Sequence, residues 1–339
     1  MEVAPGVYRL AVPLYAPPVV FDHRSMANVY VLRGKDGCML IDSGWDTKEA
    51  RNSLERKMAE IGLGLRDIRK VVYTHLHPDH FGQAGLFKEY GVTWQAAHRL
   101  EIDYIRHRFS LSDEELGKVE SHWCRSHGVP AEYIDELQRI LLCMHHMVRF
   151  LLPSVSLEAG DTIEFDPFQL KVFWTPGHAP GHICLYEPRL KLLFCGDHLT
   201  GKLPPHIPFY SSYGDDINPI GSYITSLKPL EALDVELALP AHGREFGGLK
   251  RRLSQIGPQV EQTTEEVFET VDGQMLTAFE VIMRKNPRLD WGKLLPIQKR
   301  GHLVETVARL QALKLDGRLE VVLNDGLVSY RRIPQGTAT

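Results

Sequence analysis

Within THLHPDHFGQAG, residues 74–85, three imidazoles and a carboxylate fall inside six positions: His75, His77, Asp79 and His80. Imidazole and carboxylate are ligands suited to zinc and similar divalent ions, and one ion takes three or four of them. Later segments offer more donors: TPGHAPGH brings His178 with His182 nearby, FCGDH brings Asp197 with His198 beside it, and LPAHG brings His242. Each stands where an apolar run meets Gly or Pro, the carboxyl-terminal rim on which α/β sheets build their sites. This repeated placement sets the residues apart from isolated core or surface histidines. It makes the His-rich stretch one half of a two-metal site.

The elements that must position these donors are legible as runs. VYRLAVPL (7–14), ANVYVLRG (27–34) and CMLIDSG (38–44) read as strands, a helical pattern covers 47–61, and the buried-strand run KVVYT ends at Thr74. A helix over 83–90 and a strand over 92–97 follow. Residues 98–152 then carry helical periodicity with breaks at 110–113 and 128–130, and end in the apolar helix YIDELQRILLCMHHMVRFLL. This is a helical insertion. Strands resume with DTIEF, FQLKVFWT, HICLYE and LKLLFCGD, then come a helix at 219–231, the strand VELALPA and a long amphipathic helix from Leu249. The tail reads as a helix at 276–283, a short helix at 296–300, a helix at 304–315, and strands LEVVL and LVSYRR around an Asn324-Asp325-Gly326 turn. The expected organisation is one domain over 1–265, with 98–152 inserted, and a small winged-helix-like domain over 266–339.

The 339 residues suffice for this, and a formal net charge of -4 gives no global pull toward nucleic acid or membrane. The amino terminus lacks a basic region followed by a continuous apolar one, and no later stretch is long and apolar enough to span a bilayer, so a cytoplasmic protein is expected. Five scattered cysteines, none in a C-x-x-C pair, argue against a disulfide framework and a thiolate zinc site.

The order of these loops resembles the metallo-β-lactamase superfamily over roughly residues 5–265: H-x-H-x-D-H, then PGH, then GD, then AHG. The resemblance implies an α+β fold, the αββα sandwich. It implies that His75, His77 and His178 hold one metal, that Asp79, His80 and His242 hold the other, and that Asp197 bridges them. Asp42 in LIDSGW and the second histidine of PGHAPGH, His182, would then stand behind the ligands and orient them. The cofactors are two divalent cations, zinc first, with iron or manganese acceptable to the same donors. Such a pair lowers the pKa of bound water from about 15.7 to about 7 and polarises a carbonyl or phosphoryl oxygen, which means hydrolysis, with Asp79 as the catalytic group that takes or returns a proton. Imidazole at His77 departs from the di-iron oxygen reductases of the family, and Asp197 departs from its cysteine-ligand lactamases. The set matches the glyoxalase-II-like, lactonase-like and RNase-like branches.

The appendages bear on the substrate. The tail resembles the winged-helix-like domain of the family's endoribonuclease branch, and its Arg284, Lys285, Arg288, Lys293, Lys299, Arg300, Arg331 and Arg332 would fit phosphate contacts. No aromatic interleaving suited to base stacking accompanies them, so a solvated face is favoured over a nucleic-acid surface. In the insertion, Leu141, Leu142, Met144, Met147 and Phe150 form an apolar stripe, which reads as core, as a homodimer contact, or as a roof over the metal cleft. The loop PPHIPFYSSYG (204–214) offers Tyr210 and Tyr213 as substrate contacts. The expected reaction is hydrolysis of a small ester, thioester or lactone, the alternative is RNA cleavage, and a binding protein without turnover stands third.

Overall fold

The structure is a computed structural model that describes residues 1–16, 19–20, 25–210, 212, 214 and 216–334. Its first sheet has seven strands in the order Glu2–Ala4, Val7–Pro13, Met26–Gly34, Gly37–Ile41, Ile68–Val72, Trp94–His98 and Val155–Leu157. The first three pairings are antiparallel and the last three parallel. A second sheet runs Thr162–Phe165, Phe168–Trp174, Ile183–Glu187, Leu192–Gly196 and Leu237–Pro240, antiparallel except for its final parallel pair.

The apolar runs become strands because both faces of the central ones are covered, and continuous apolar sequence is what two buried faces demand. Tyr30, Leu32, Met39, Ile41 and Val72 meet Leu170, Val172, Leu185, Phe194 and Leu239 between the sheets. On the outer face of the first sheet, Val29, Val31, Leu40 and Val71 pack with Leu54, Met58, Phe87, Ile102 and Ile105. Those residues come from helices Lys48–Glu60, Ala84–Glu89 and Arg99–Arg108. On the outer face of the second sheet, Cys184, Tyr186, Leu193 and Cys195 pack with Tyr223, Leu227, Leu253 and Ile256 of helices Pro219–Glu231 and Leu249–Thr270. The result is the expected αββα sandwich. The five cysteines are free thiols.

The 98–152 segment carries helices Arg99–Arg108, Asp113–Ser126 and Ala131–His146, and Val155–Leu157 then returns to the edge of the first sheet. The apolar helix expected to reach residue 152 therefore stops at His146. Beyond it the chain turns back toward the core, where the Arg149 N–H donates to the Gly82 carbonyl and the Gly85 N–H donates to the Arg149 carbonyl.

The tail differs from expectation in three ways. Leu276–Thr277 is a short strand, and the helix starts at Ala278, where Thr277 caps it and Glu280 answers with a capping box. Residues Pro296–Leu315 form one helix, not two. Gly301 costs that helix about 1 kcal/mol relative to Ala, which the burial of Leu303, Val304, Val307, Leu310 and Leu313 outweighs. The division expected at 265/266 falls inside helix Leu249–Thr270, and Val260 and Val267 share one apolar cluster with Ile282, Leu303 and Val307. The hairpin Leu319–Asn324/Leu327–Arg332 closes through Asp325 and Gly326, both at positive φ, and Leu276–Thr277 pairs with its second strand.

Candidate metal centre

Four loops meet at the carboxyl ends of strands: those after Ile68–Val72, Phe168–Trp174, Leu192–Gly196 and Leu237–Pro240. They bring together all seven donors picked out in the sequence, in three overlapping groups: His75/His77/His178, His75/His80/Asp197 and Asp79/His80/His242. In the first, Nε2 of His75 lies 3.0 Å from Nδ1 of His77 and 3.1 Å from Nε2 of His178, and the latter two nitrogens are 2.9 Å apart. In the third, Asp79 Oδ2 lies 3.4 Å from His80 Nε2 and 3.2 Å from His242 Nε2. The Asp197 carboxylate lies between the groups, with Oδ2 3.5 Å from both His80 and His178 and Oδ1 3.4 Å from His242.

A divalent ion fits this donor set. With metal–nitrogen bonds of about 2.0–2.1 Å, tetrahedral donors stand about 3.3 Å apart, close to the spacing of the three imidazoles. Burial and the neighbouring imidazoles hold His75 and His77 well below the usual imidazole pKa, and burial pulls His178 down to about 4, so all three present lone pairs. On the other side, Asp79 and Asp197 overcome burial and push His242 up to about 10, which marks a pocket whose carboxylates call for positive charge. His80 Nε2 and Asp197 Oδ1 are buried and make no hydrogen bond, as expected of atoms that face an ion.

The outward ring nitrogens of His80, His178 and His242 are held. Asp42 accepts from the Thr74 N–H (2.8 Å) and hydroxyl (2.9 Å), and its Oδ2 lies 2.9 Å from His80 Nδ1, which leaves Nε2 aimed inward. Asp42 does this from φ 63°, a left-handed conformation that Asp tolerates better than most residues. His178 Nδ1 donates to the His206 carbonyl (2.8 Å), and His242 Nδ1 donates to the Met26 carbonyl (3.1 Å). His182 is no member of the donor groups. Its Nε2 accepts the Asp197 N–H at 3.1 Å and its Nδ1 faces Thr175 Oγ1 at 2.9 Å, so it fixes the backbone that carries Asp197. Gly196, at φ 50°, brings this about: a Cβ there would stand 2.4 Å from His182 Nε2.

Two supports escaped the sequence reading. Glu101, 2 % exposed, accepts the Leu76 N–H at 2.9 Å and the Gly181 N–H at 2.7 Å, and so ties the loop of His75 and His77 to the loop of His178 and His182. Burial raises its pKa against these two bonds. The available signal was an acid on the same buried stripe as Ile102 and Ile105. Glu305 of helix Pro296–Leu315 lies 2.5 Å from His206 Nδ1, and His206 in turn holds His178, so the tail reaches the centre.

Beside the donors opens a cavity of about 1130 Å³. Its wall includes Leu141, Met144 and Val148 from the insertion, Tyr210 from the 204–214 loop, and Ile297, Arg300 and Val304 from the tail. Met144 and Tyr210, picked out in the sequence, both line this cavity. Met147 is not part of this wall: it is buried against the outer face of the first sheet. Tyr213 lies outside the described residues. Phe150 is exposed and stacks on Phe109.

Among known proteins, the sequence pattern of the metallo-beta-lactamase superfamily matches residues 24–242, well over half of the chain and every one of the seven donors. The chain belongs to that superfamily. Relatives within it include the probable metallo-hydrolase YqjP of Bacillus subtilis (strain 168), 25% identical over 76% of this chain and 80% of the relative. Another is the acyl-coenzyme A thioesterase MBLAC2 of Gallus gallus, 30% identical over 67% of this chain and 76% of the relative. The crystal structure of the metallo-beta-lactamase family protein TTHA1429 from Thermus thermophilus superposes with a TM-score of 0.82 at 27% identity, over 98% of this chain and all of that one. A beta-lactamase domain protein from Burkholderia ambifaria does so with the same TM-score at 25% identity, over 98% of this chain and 94% of that one. Insertion and tail therefore have counterparts in other superfamily members. The chain is a metal-dependent hydrolase of this superfamily, and no helix among its described residues is long and apolar enough to cross a membrane.

Proposed function

We propose that this hydrolase works with two divalent cations, zinc first, and cleaves acyl thioesters. The observation that carries the reading is the donor set: two groups of three side chains joined through Asp197, at the inner end of a cavity with a largely aliphatic wall. His75, His77 and His178 would hold one ion, Asp79, His80 and His242 the other, with Asp197 shared. When bound, such ions lower the pKa of coordinated water to about 7 and polarise an acyl carbonyl.

The remaining work falls to the chain. Asp42, His206 and Met26 fix the imidazole tautomers of His80, His178 and His242 through the contacts described above. Asp79 is 21% exposed at its side chain and lines the cavity. One of its oxygens faces His80 and His242, and the other is left to carry the proton that water gives up. A thiol leaving group, with a pKa of about 8.5, departs as thiolate and asks little of a general acid. The wall of Leu141, Met144, Val148, Ile297 and Val304 suits the hydrocarbon of an acyl chain. A thioesterase among the relatives supports the same choice.

RNA is the less favoured substrate. Of the eight tail cations suited to phosphate contacts, six pair with acids: Lys285 with Glu266, Lys293 with Asp290, Lys299 with Glu136, Arg300 with Glu120, Arg331 with Glu320 and Arg332 with Asp272. To test the reading, zinc- and manganese-loaded protein is assayed on acyl thioesters, lactones and single-stranded RNA. Thiol release that a chelator abolishes, and that Asp197→Ala lacks, is the expected result. RNA cleavage without thiol release overturns it.

A further inference from the structure

Away from the donors, four side chains of the cavity wall come together from three segments: Tyr104 and Arg108 on helix Arg99–Arg108, Tyr210 on the 204–214 loop, and Arg300 on helix Pro296–Leu315. The Arg300 guanidinium lies 4.9 Å from the centroid of the Tyr210 ring, and the same ring reaches toward the centre, with its centroid 5.8 Å from that of His77. Burial pushes the Tyr210 phenol up to about 12, against the pull of Arg300 and Arg108 and with Tyr104 also beside it.

The charges here do not balance. Arg300 donates from Nε to Glu120 at 2.9 Å, a buried pair. On the helix of Arg108, Arg99 pairs with Glu158 and Arg106 with Asp103, both on the outside. Arg108 is half-buried in the cavity wall and has no carboxylate within ion-pair distance among the described residues. His145, its neighbour in the wall, is held neutral by burial and by Arg108 itself, with a pKa of about 4. The cluster therefore keeps one uncompensated positive charge next to Ile105, Phe109, Leu141 and Met144. A helix carboxyl terminus accounts for a basic residue in its last turn, but Arg106 and His107 share that turn and face solvent. A guanidinium that has given up part of its hydration without an acid in return is suited to take an anion.

We propose that Arg108, framed by Tyr104, Tyr210 and Arg300, binds a carboxylate or phosphate carried by the acyl thioester substrate while the adjoining aliphatic wall takes its hydrocarbon. This rests on the thioester reading and adds a determinant of specificity to it. The anion comes either from the acyl group or from the thiol carrier.

Three substrates of equal acyl length separate these sources: hexanoyl-N-acetylcysteamine, which is uncharged; adipoyl-N-acetylcysteamine, with a carboxylate on the acyl end; and hexanoyl-coenzyme A, with phosphates on the thiol. For metal-loaded Arg108→Ala, loss of one charge-assisted hydrogen bond raises KM by about tenfold or more on whichever charged substrate the wild type prefers. Its kcat stays near the wild-type value, the uncharged substrate is unaffected, and Arg108→Lys recovers part of the loss. The same change on all three substrates, or no change on any, overturns the proposal. Calorimetric titration of both metal-loaded proteins with adipate and with 3′,5′-ADP reads the site without turnover. Tighter binding by the wild type keeps the anion site even if no thioester is cleaved, and equal binding overturns it.

Discussion

Replacing Glu101 by glutamine tests how the two ligand loops are held together. Both carboxylate oxygens are engaged, one by the Leu76 N–H and one by the Gly181 N–H, in a site 2 % exposed. Glutamine keeps one acceptor and turns an NH2 toward the other backbone N–H, so two donors face each other where no water replaces the lost partner. One buried donor left unmade costs about 1–3 kcal/mol, and the loss of the carboxylate's charge from the surviving bond adds to it, so Glu101→Gln is expected to lower the unfolding free energy by about 2–3 kcal/mol. Leu76 lies between His75 and His77, and Gly181 precedes His182, so the loosened loops also carry the metal donors. By analogy with other residues that orient ligands, divalent-ion affinity should fall by about 10- to 100-fold. Urea unfolding of the metal-free protein and chelator competition on the loaded protein measure the two effects separately. Gly181→Ala approaches the same contact from the other side, because its Cβ would stand 2.8 Å from Glu101 Cγ. If Glu101→Gln unfolds like the wild type and holds its ions as tightly, Glu101 does not tie the loops and the reasoning fails.

Asp42→Asn, which tolerates the same backbone conformation, removes the charge behind His80 and should weaken ion binding by about 10- to 100-fold, read by the same chelator competition; unchanged affinity would contradict its orienting role. Gly196→Ala has no room beside His182 and Thr74 and should abolish ion binding or folding, whereas a soluble variant with wild-type metal content would refute the packing. His127 is buried, its Nδ1 has no partner, and burial pulls its pKa down to about 4 from 6.5. Between those values the unfolded chain binds a proton that the folded one refuses, so stability falls as pH drops from about 6.5 to about 4, by about 3 kcal/mol for this group. His127→Leu should flatten that part of the stability profile of the metal-free protein, and an unaltered slope would show that other groups cause it.

Much of the centre was legible in the sequence because its donors are delivered by local rules. An apolar run fixes a strand, a Gly or Pro break ends it, and the donors sit in the first residues beyond, as His75, His178, Asp197 and His242 do. The αββα layering was implied by the resemblance to the family, with the same runs supplying its strands and helices. Periodicity could not tell Met144 from Met147: both lie on one apolar stripe, but the helix ends at His146, and the turn sends Met147 into the core while Met144 stays in the cavity wall. Nor could it join the two tail helices across Gly301. Glu101 showed only as an acid on a buried stripe, and the Glu305–His206 contact behind His178 and the meeting of Arg108 with Tyr210 and Arg300 had no signature at all. Four of the donors are spaced closely on the loop after Ile68–Val72, and the other three each follow the end of a strand, so sequence by itself marked the candidate donors. Partners that support those loops, and the wall that chooses the substrate, are drawn from segments far apart in the chain, and only the packing of sheets, insertion and tail decided which of them meet.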